Sequence, residues 1–490
     1  MTRHAHASIG ENLSMTHTPD TTAETCDLLL DGGVVIALEE ARQVIEKGSV
    51  AIRGDRVLAV GNSVEMAPYR RSSIRTIDCS GKVIMPGLTD GHTHLFQTLG
   101  RGMGDGLSLV PWLRRFMFPY AKTISGEIAA AGARLGALQA ALAGTTVVVD
   151  NHYGPTDTAS TLGVADAIEG VGIRGAVARG IFGDPNRGGD IMGVAPELFP
   201  YTNDQEIAIT KECIAARPAG SRVEIWPGPE NIVYVTPDLI EASAQLAADA
   251  GVRWHMHCSE SAAEIDFFES IHSIRPVAWL AQQGLLSNRT TLAHAIWLDD
   301  DEISAIGEHR TTTVHNPISN QYIASGVMRL GPLQAAGANI ALGSDGIAIT
   351  GQDMFEAMKA GILLHRVHNL DPVATTVEQF IEIAATGGAT MTGFDAGTLA
   401  PGRLADVIVI DIDKVHHTPW NRPVASVVYG GTGADVETSI VGGEIIVENG
   451  RSTRVDEDEV RAKATEAAER LIADADLSGL TQGWFSPNAT

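Results

Sequence analysis

The sequence predicts an α/β protein, a (β/α)8 TIM barrel carrying a small β-sandwich-like domain formed from both chain ends. Three observations lead there. From residue 83 onward, eight short strand-like runs alternate with helix-like segments. Polar residues end several of those runs, at the C-terminal side where such a barrel places its active site. The two flanks alternate apolar and polar residues between glycine turns, as β-hairpins do.

Residues 1–23 are polar, rich in His and Thr, and lack the apolar stretch of a signal peptide, so they read as a disordered tail. Residues 24–82 carry turns at Asp31-Gly32-Gly33, Arg53-Gly54-Asp55 and Ser80-Gly81. Residues 400–455 repeat the pattern, with a turn at Val441-Gly442-Gly443-Glu444. Neither flank is large enough to stand alone, which predicts that they join in one β-domain. The barrel is expected over 83–399, with strands at 83–88, 145–150, 175–182, 222–227, 252–257, 290–295, 311–315 and 339–344. A helix over 127–143 is Ala/Leu-rich and stops at Gly144. Thr236-Pro237-Asp238 offers an N-cap, a proline at the first helical position and an early acid, and Gly251 ends that helix. Segments 261–271, 301–308, 353–365 and 377–385 also read as helices. Residues 456–490 form a C-terminal helix and tail, the helix charged and amphipathic.

Composition narrows the function. The chain has 490 residues, 44% of them hydrophobic, and a formal net charge of −25. That is an ordinary globular composition, and its acidity repels nucleic acid and anionic membranes. The expected partner is a small molecule. The expected setting is cytoplasmic, since no run is long and apolar enough for a membrane span. Four cysteines without a C-x-x-C pair suggest neither a disulfide framework nor a cysteine zinc site.

The polar residues at the strand ends carry the chemistry. His92 and His94 lie two apart and can share one face of a strand. His257 ends a later strand, with His255 one layer deeper as a core histidine. Glu260, three residues past His257, is either a proton carrier or a helix-capping acid beside Ser259 and Ser261. His294 either polarises a bond under attack or is structural. Asp345 is a metal ligand and proton acceptor, or part of a plain Ser344-Asp345-Gly346 turn. Asn316 and Ser319 lie in a dense polar loop that is a pocket wall or an Asn-Pro turn. No lysine lies between Lys122 and Lys211 or between Lys211 and Lys359, so a lysine bridging two metals is unavailable and a mononuclear site is predicted.

Together the stretches Pro86-Gly87-Leu88-Thr89-Asp90-Gly91-His92-Thr93-His94, His255-Met256-His257-Cys258-Ser259-Glu260, His315-Asn316-Pro317-Ile318-Ser319-Asn320 and Gly343-Ser344-Asp345-Gly346 resemble the amidohydrolase superfamily. They are most similar to its metal-dependent aminohydrolase branch, which holds guanine, 8-oxoguanine and adenosylhomocysteine/methylthioadenosine deaminases and s-triazine hydrolases. The resemblance implies one divalent ion, Zn2+ or Fe2+, held by His92, His94, His257 and Asp345. It implies Glu260, His294 and Asp345 as catalytic residues. The implied reaction is deamination of an amino-substituted N-heterocycle by metal-hydroxide attack, with release of ammonia. Relatives of this kind are often homo-oligomers. Gln97, Trp112, His152 and Arg179 are candidate substrate contacts, with helix packing the alternative for Trp112. Some relatives carry Ala-Pro-His after the fourth strand; here the segment reads Gly228-Pro229-Glu230, without the histidine, and resembles the triazine or oxopurine relatives more than the adenosylhomocysteine type. Two other readings stay open. One is a hydrolase of the same fold that displaces chloride or alkylamine or opens a cyclic amide. The other is a non-catalytic binding protein.

Overall fold

The computed structural model describes residues 25–218, 220–349 and 351–481. The disordered tail expected over 1–23 lies outside them, as does the end of the C-terminal tail. The amino-terminal flank forms β1 (Leu28–Ile36), β2 (Val44–Arg53), β3 (Arg56–Asn62), β4 (Arg75–Asp78) and β5 (Lys82–Pro86). Eight strands follow: β6 (Leu88–Thr93), β7 (Thr145–His152), β8 (Arg174–Ile181), β9 (Val223–Pro229), β10 (Trp254–Cys258), β11 (Thr290–His294), β12 (Thr312–His315) and β13 (Asn339–Leu342). The carboxyl flank supplies β14 (Val407–Asp411), β15 (Val436–Val441), β16 (Glu444–Glu448) and β17 (Arg451–Ser452).

Both flanks meet in one nine-stranded sheet, where β5 pairs parallel with β1 and antiparallel with β14. Alternation along β1 explains its two buried faces. Leu28 and Leu30 pack with Val50, Val407 and Ile440, while Leu29 packs on the other side with Cys26, Ala51 and Met66. The strand expected over 83–88 is in fact two strands. Lys82–Pro86 belongs to the nine-stranded sheet, and the barrel begins at Leu88. Gly87 makes the break, because a Cβ there would fall 2.1 Å from the Thr146 side chain.

Strands β6 to β9 and β10 to β13 form two parallel four-stranded sheets. Parallel bridges from Asn231 to His257 and from Thr93 to Asp345 join them at both seams, closing the (β/α)8 barrel. Val149, Ala176, Ala178, Trp226, Val314 and Ala341 fill its interior. Their sequence neighbours Val148, Val177, Ile225, Ile340 and Leu342 face the helices.

Local signals start and stop those helices. Gly126–Leu142 begins where the Ser125 side chain accepts from the Ile128 N–H. Pro237–Ala250 ends at Gly251 in the left-handed region, φ +72°. At its start the Thr236 hydroxyl makes no cap; it accepts from Asn203 Nδ2 at 3.0 Å instead. The charged helix Glu457–Asp474 packs on the outside against Gly126–Leu142 through Val460, Ala464 and Leu471. Among the described residues no helix is long and apolar enough to cross a membrane.

Candidate metal centre and active site

The barrel's C-terminal mouth gathers histidines from three strands. His92 and His94, at the end of β6, have ring centroids 4.8 Å apart. His94 Nε2 lies 3.3 Å from His257 Nε2 and 3.2 Å from Asp345 Oδ1. His92 Nε2 approaches the same carboxylate oxygen at 3.3 Å. His294 Nε2 stands 3.7 Å from Asp345 Oδ2 and 3.8 Å from Glu260 Oε2. Donor atoms of His92, His257, His294 and Asp345 all lie within 4.8 Å of one another, with His94 against two of the four. All six of these residues are buried.

Two of them reach the mouth through strained backbone. His294 shares the alternation of Leu292, which faces the helices. Its φ of +73° turns the imidazole inward. Asp345 has φ +63° and is held by its N–H donating to His92 O at 2.8 Å. Left-handed backbone at a non-glycine residue costs about 1–3 kcal/mol and persists only where the surroundings dictate it. Beneath, a Cβ at Gly343 would fall 2.2 Å from Asn316 Oδ1, so only glycine lets β13 lie this close.

Hydrogen bonds set the ring tautomers. His94 Nδ1 lies 2.7 Å from Asn151 O, and His257 Nδ1 2.6 Å from Glu230 O. A carbonyl only accepts, so each Nδ1 carries the proton and each Nε2 turns a lone pair toward the cluster. His92 Nε2 is buried with no hydrogen-bond partner. Burial also pushes His92 down to about 4 and His257 well below the usual imidazole range, keeping both neutral. Converging lone pairs beside one carboxylate fit a divalent cation of the zinc or iron type.

Two further carboxyls border the cluster. Burial, then the Asp345 charge, raises Glu260 to about 8. The capping alternative for Glu260 falls away: Ser261 caps the helix Ala262–His272, and Glu264 accepts from the N–H groups of Ser259 and Glu260. Its own Oε1 accepts from Ser325 Oγ at 3.3 Å. For Asp345, burial acts upward, but His294, His92 and His94 outweigh it and hold the carboxyl well below the usual range.

The cavity over the cluster is lined by His94, His257, Glu260, His294 and Asp345, and by Trp112 and Ser319. The other expected substrate contacts lie elsewhere. Gln97 donates to the Tyr153 hydroxyl at 2.7 Å and so supports a residue that does line the cavity. His152 bonds Pro155 O at 2.8 Å. Arg179 pairs with Glu206 at 2.7 Å, both fully buried, and donates to Thr156 O and Thr210 Oγ1. Asn316 stands 3.4 Å behind His294 Nδ1. Alternation explains His152 and Arg179, which share the faces of Val148 and Val177 toward the helices.

Sequence reading missed Glu230, Tyr153, Tyr234 and Met192, which line the cavity. Glu230 had a usable signal, since it lies in phase with the interior-facing Trp226 of β9. Burial raises its carboxyl to about 8, and its Oε2 is buried without a partner.

The chain is similar to known proteins in sequence and in fold. Residues 83–446 match the amidohydrolase family model. A 5'-deoxyadenosine deaminase of Methanothermobacter thermautotrophicus is 34% identical over 428 residues, covering 87% of this chain and 95% of its own. A 5-methylthioadenosine/S-adenosylhomocysteine deaminase of Thermococcus sibiricus is 32% identical, covering 86% and 94%. The structure of an adenosine deaminase from Xanthomonas campestris with bound zinc superposes with a TM-score of 0.84 at 26% identity, covering 92% and 99%. Atrazine chlorohydrolase from Arthrobacter aurescens complexed with zinc gives 0.83 at 25%, covering 90% and 100%. With the motifs, the barrel and the histidine–aspartate cluster in agreement, the chain belongs to the amidohydrolase family.

Proposed function

We propose that the protein is a mononuclear metal-dependent hydrolase that deaminates an amino-substituted N-heterocycle and releases ammonia. One observation carries the reading: the Nε2 atoms of His92, His94 and His257 converge on Asp345, with Glu260 and His294 alongside. Relatives named as deaminases of adenine nucleosides support it, as do the two zinc-bound structures.

His92, His94, His257 and Asp345 are the proposed ligands. They would hold a divalent ion, zinc or iron, which when bound would lower the pKa of a water toward about 7. The protein's own groups then divide the proton work. Asp345 accepts the proton of the attacking water at a carboxylate oxygen and passes it to the departing amine. Glu260, protonated near neutral pH, donates to the ring nitrogen beside the attacked carbon and recovers the remaining hydroxyl proton as the C–N bond breaks and the carbonyl forms. His294, within 4 Å of both carboxyls, orients the nucleophile between them. Trp112, Tyr153 and Tyr234 offer aromatic surface to a flat ring. Glu230 offers a carboxyl to a polar ring edge.

The test pairs elemental analysis with an ammonia-release screen over aminopurines, adenine nucleosides, pterins, pyrimidines and triazines. One equivalent of zinc or iron with ammonia from one class supports the proposal. Metal with chloride or alkylamine released instead, read by mass spectrometry, moves the reaction to another leaving group. No retained metal turns it into a binding role. We also propose a cytoplasmic homo-oligomer, checked by light scattering of the purified protein and by fractionation.

A further inference from the structure

His92 differs from the other two proposed histidine ligands in what sits behind it. His94 and His257 each donate to a backbone carbonyl, which cannot reverse the bond. Behind His92 there is instead a second histidine: His92 Nδ1 lies 2.8 Å from His255 Nε2, with centroids 5.0 Å apart and rings tilted 35°. Two imidazoles can share a proton in either direction. One direction gives His92 the Nε2 lone pair that a ligand needs; the other places an N–H there.

We infer that Thr291 and His255 form a proton-polarity relay that holds His92 in its metal-binding tautomer. Thr291 faces His255 in the β10–β11 register, and all three side chains are fully buried. The relay ends on a group that cannot be reversed. Trp254 O accepts from the Thr291 hydroxyl at 3.0 Å. With its single proton committed, Thr291 Oγ1 accepts from His255 Nδ1 at 2.6 Å. A neutral imidazole has one N–H, so His255 Nε2 is left as an acceptor. His92 Nδ1–H donates to it, and His92 Nε2 keeps its lone pair, buried and unpartnered. The two extra residues do for His92 what one carbonyl does for His94 and His257. This makes His255 and Thr291 positioning residues, and the inference rests on the ligand set proposed above.

The test measures the zinc dissociation constant of the metal-stripped full-length protein by competition with a chromophoric chelator. Circular dichroism and the thermal midpoint of the metal-free form are recorded alongside. Thr291→Val keeps the β-branched shape and removes the hydroxyl; Thr291→Ser keeps the relay. We expect T291V to bind zinc about 10–100-fold more weakly, the usual cost of losing a ligand's hydrogen-bond support, and T291S to match the wild type. His255→Leu removes the acceptor itself and is expected to show the same loss, so the test stands if T291V does not fold. A structural role alone would lower the thermal midpoint and leave the dissociation constant unchanged. A folded T291V or H255L that binds zinc like the wild type overturns the relay. A wild-type chain that binds no zinc overturns the ligand set as well, and so marks that failure as the earlier one.

Discussion

Strands β7 and β8 in one half of the barrel, and β10, β11 and β13 in the other, all run into polar residues at their C-terminal ends, yet only the second group joins His92 and His94 of β6 in the cluster. His152 and Arg179 take the alternation that faces the helices, where local partners absorb them: Pro155 O for the histidine, and Glu206, Thr156 and Thr210 for the arginine. His257 takes the interior alternation. His294 and Asp345 meet it through left-handed backbone at φ +73° and +63°. In the first group the charges are matched within the protein. In the second, imidazole lone pairs converge with one carboxylate. A polar residue at a strand end therefore joins the cluster here only where the backbone aims it at the barrel axis.

The sharpest way to break this contrast is to remove an inward ligand. His257→Ala or Asp345→Asn should abolish stoichiometric metal and take ammonia release to background; metal retained at wild-type level would dissolve the distinction. Glu260→Gln should keep the metal and lose about 10²–10⁴-fold in turnover, the usual scale for a general acid, which steady-state kinetics would show. On the outward side, Arg179→Ala leaves Glu206 buried without its partner. It should cost about 3–5 kcal/mol in chemical denaturation with metal per chain unchanged; a lost metal there would mean that the two groups are not separate. The last concerns Glu230. Its folded carboxyl sits near pH 8, above the unfolded value near 4.5. The native state thus holds that proton where the unfolded state has released it, and metal-free stability falls as pH rises from about 4.5 to 8. Glu230→Gln should remove its share of that slope and leave the part due to Glu260, Glu264, Asp90 and Asp150; denaturation at pH 5 and pH 8 checks it.

Much of this was legible in the chain. His92-Thr93-His94, His257 and Asp345 close apolar runs whose spacing predicts barrel strands, and the structure brings them together. Glu260 and His294 join them although their surroundings allowed bland readings. The expected substrate contacts were less legible: Trp112 and Ser319 reach the cavity, while Gln97 and Asn316 stand behind residues that do. His152 and Arg179 end strands as the proposed ligands do, but their alternation faces the helices. Glu230 was passed over although it keeps the phase of Trp226.

By itself the sequence determined the alternating architecture, the identity and order of the proposed metal donors, and the joining of two flanks too small to fold apart. These follow from local periodicity and residue chemistry, which neighbours along the chain carry. Only the tertiary structure decided that the strand over 83–88 divides at Gly87, that His294 turns inward, that Glu230 borders the cluster and that Thr291 stands behind His255 and His92. Each depends on contacts between residues distant in sequence, where close packing and the pairing of buried polar atoms override local preference.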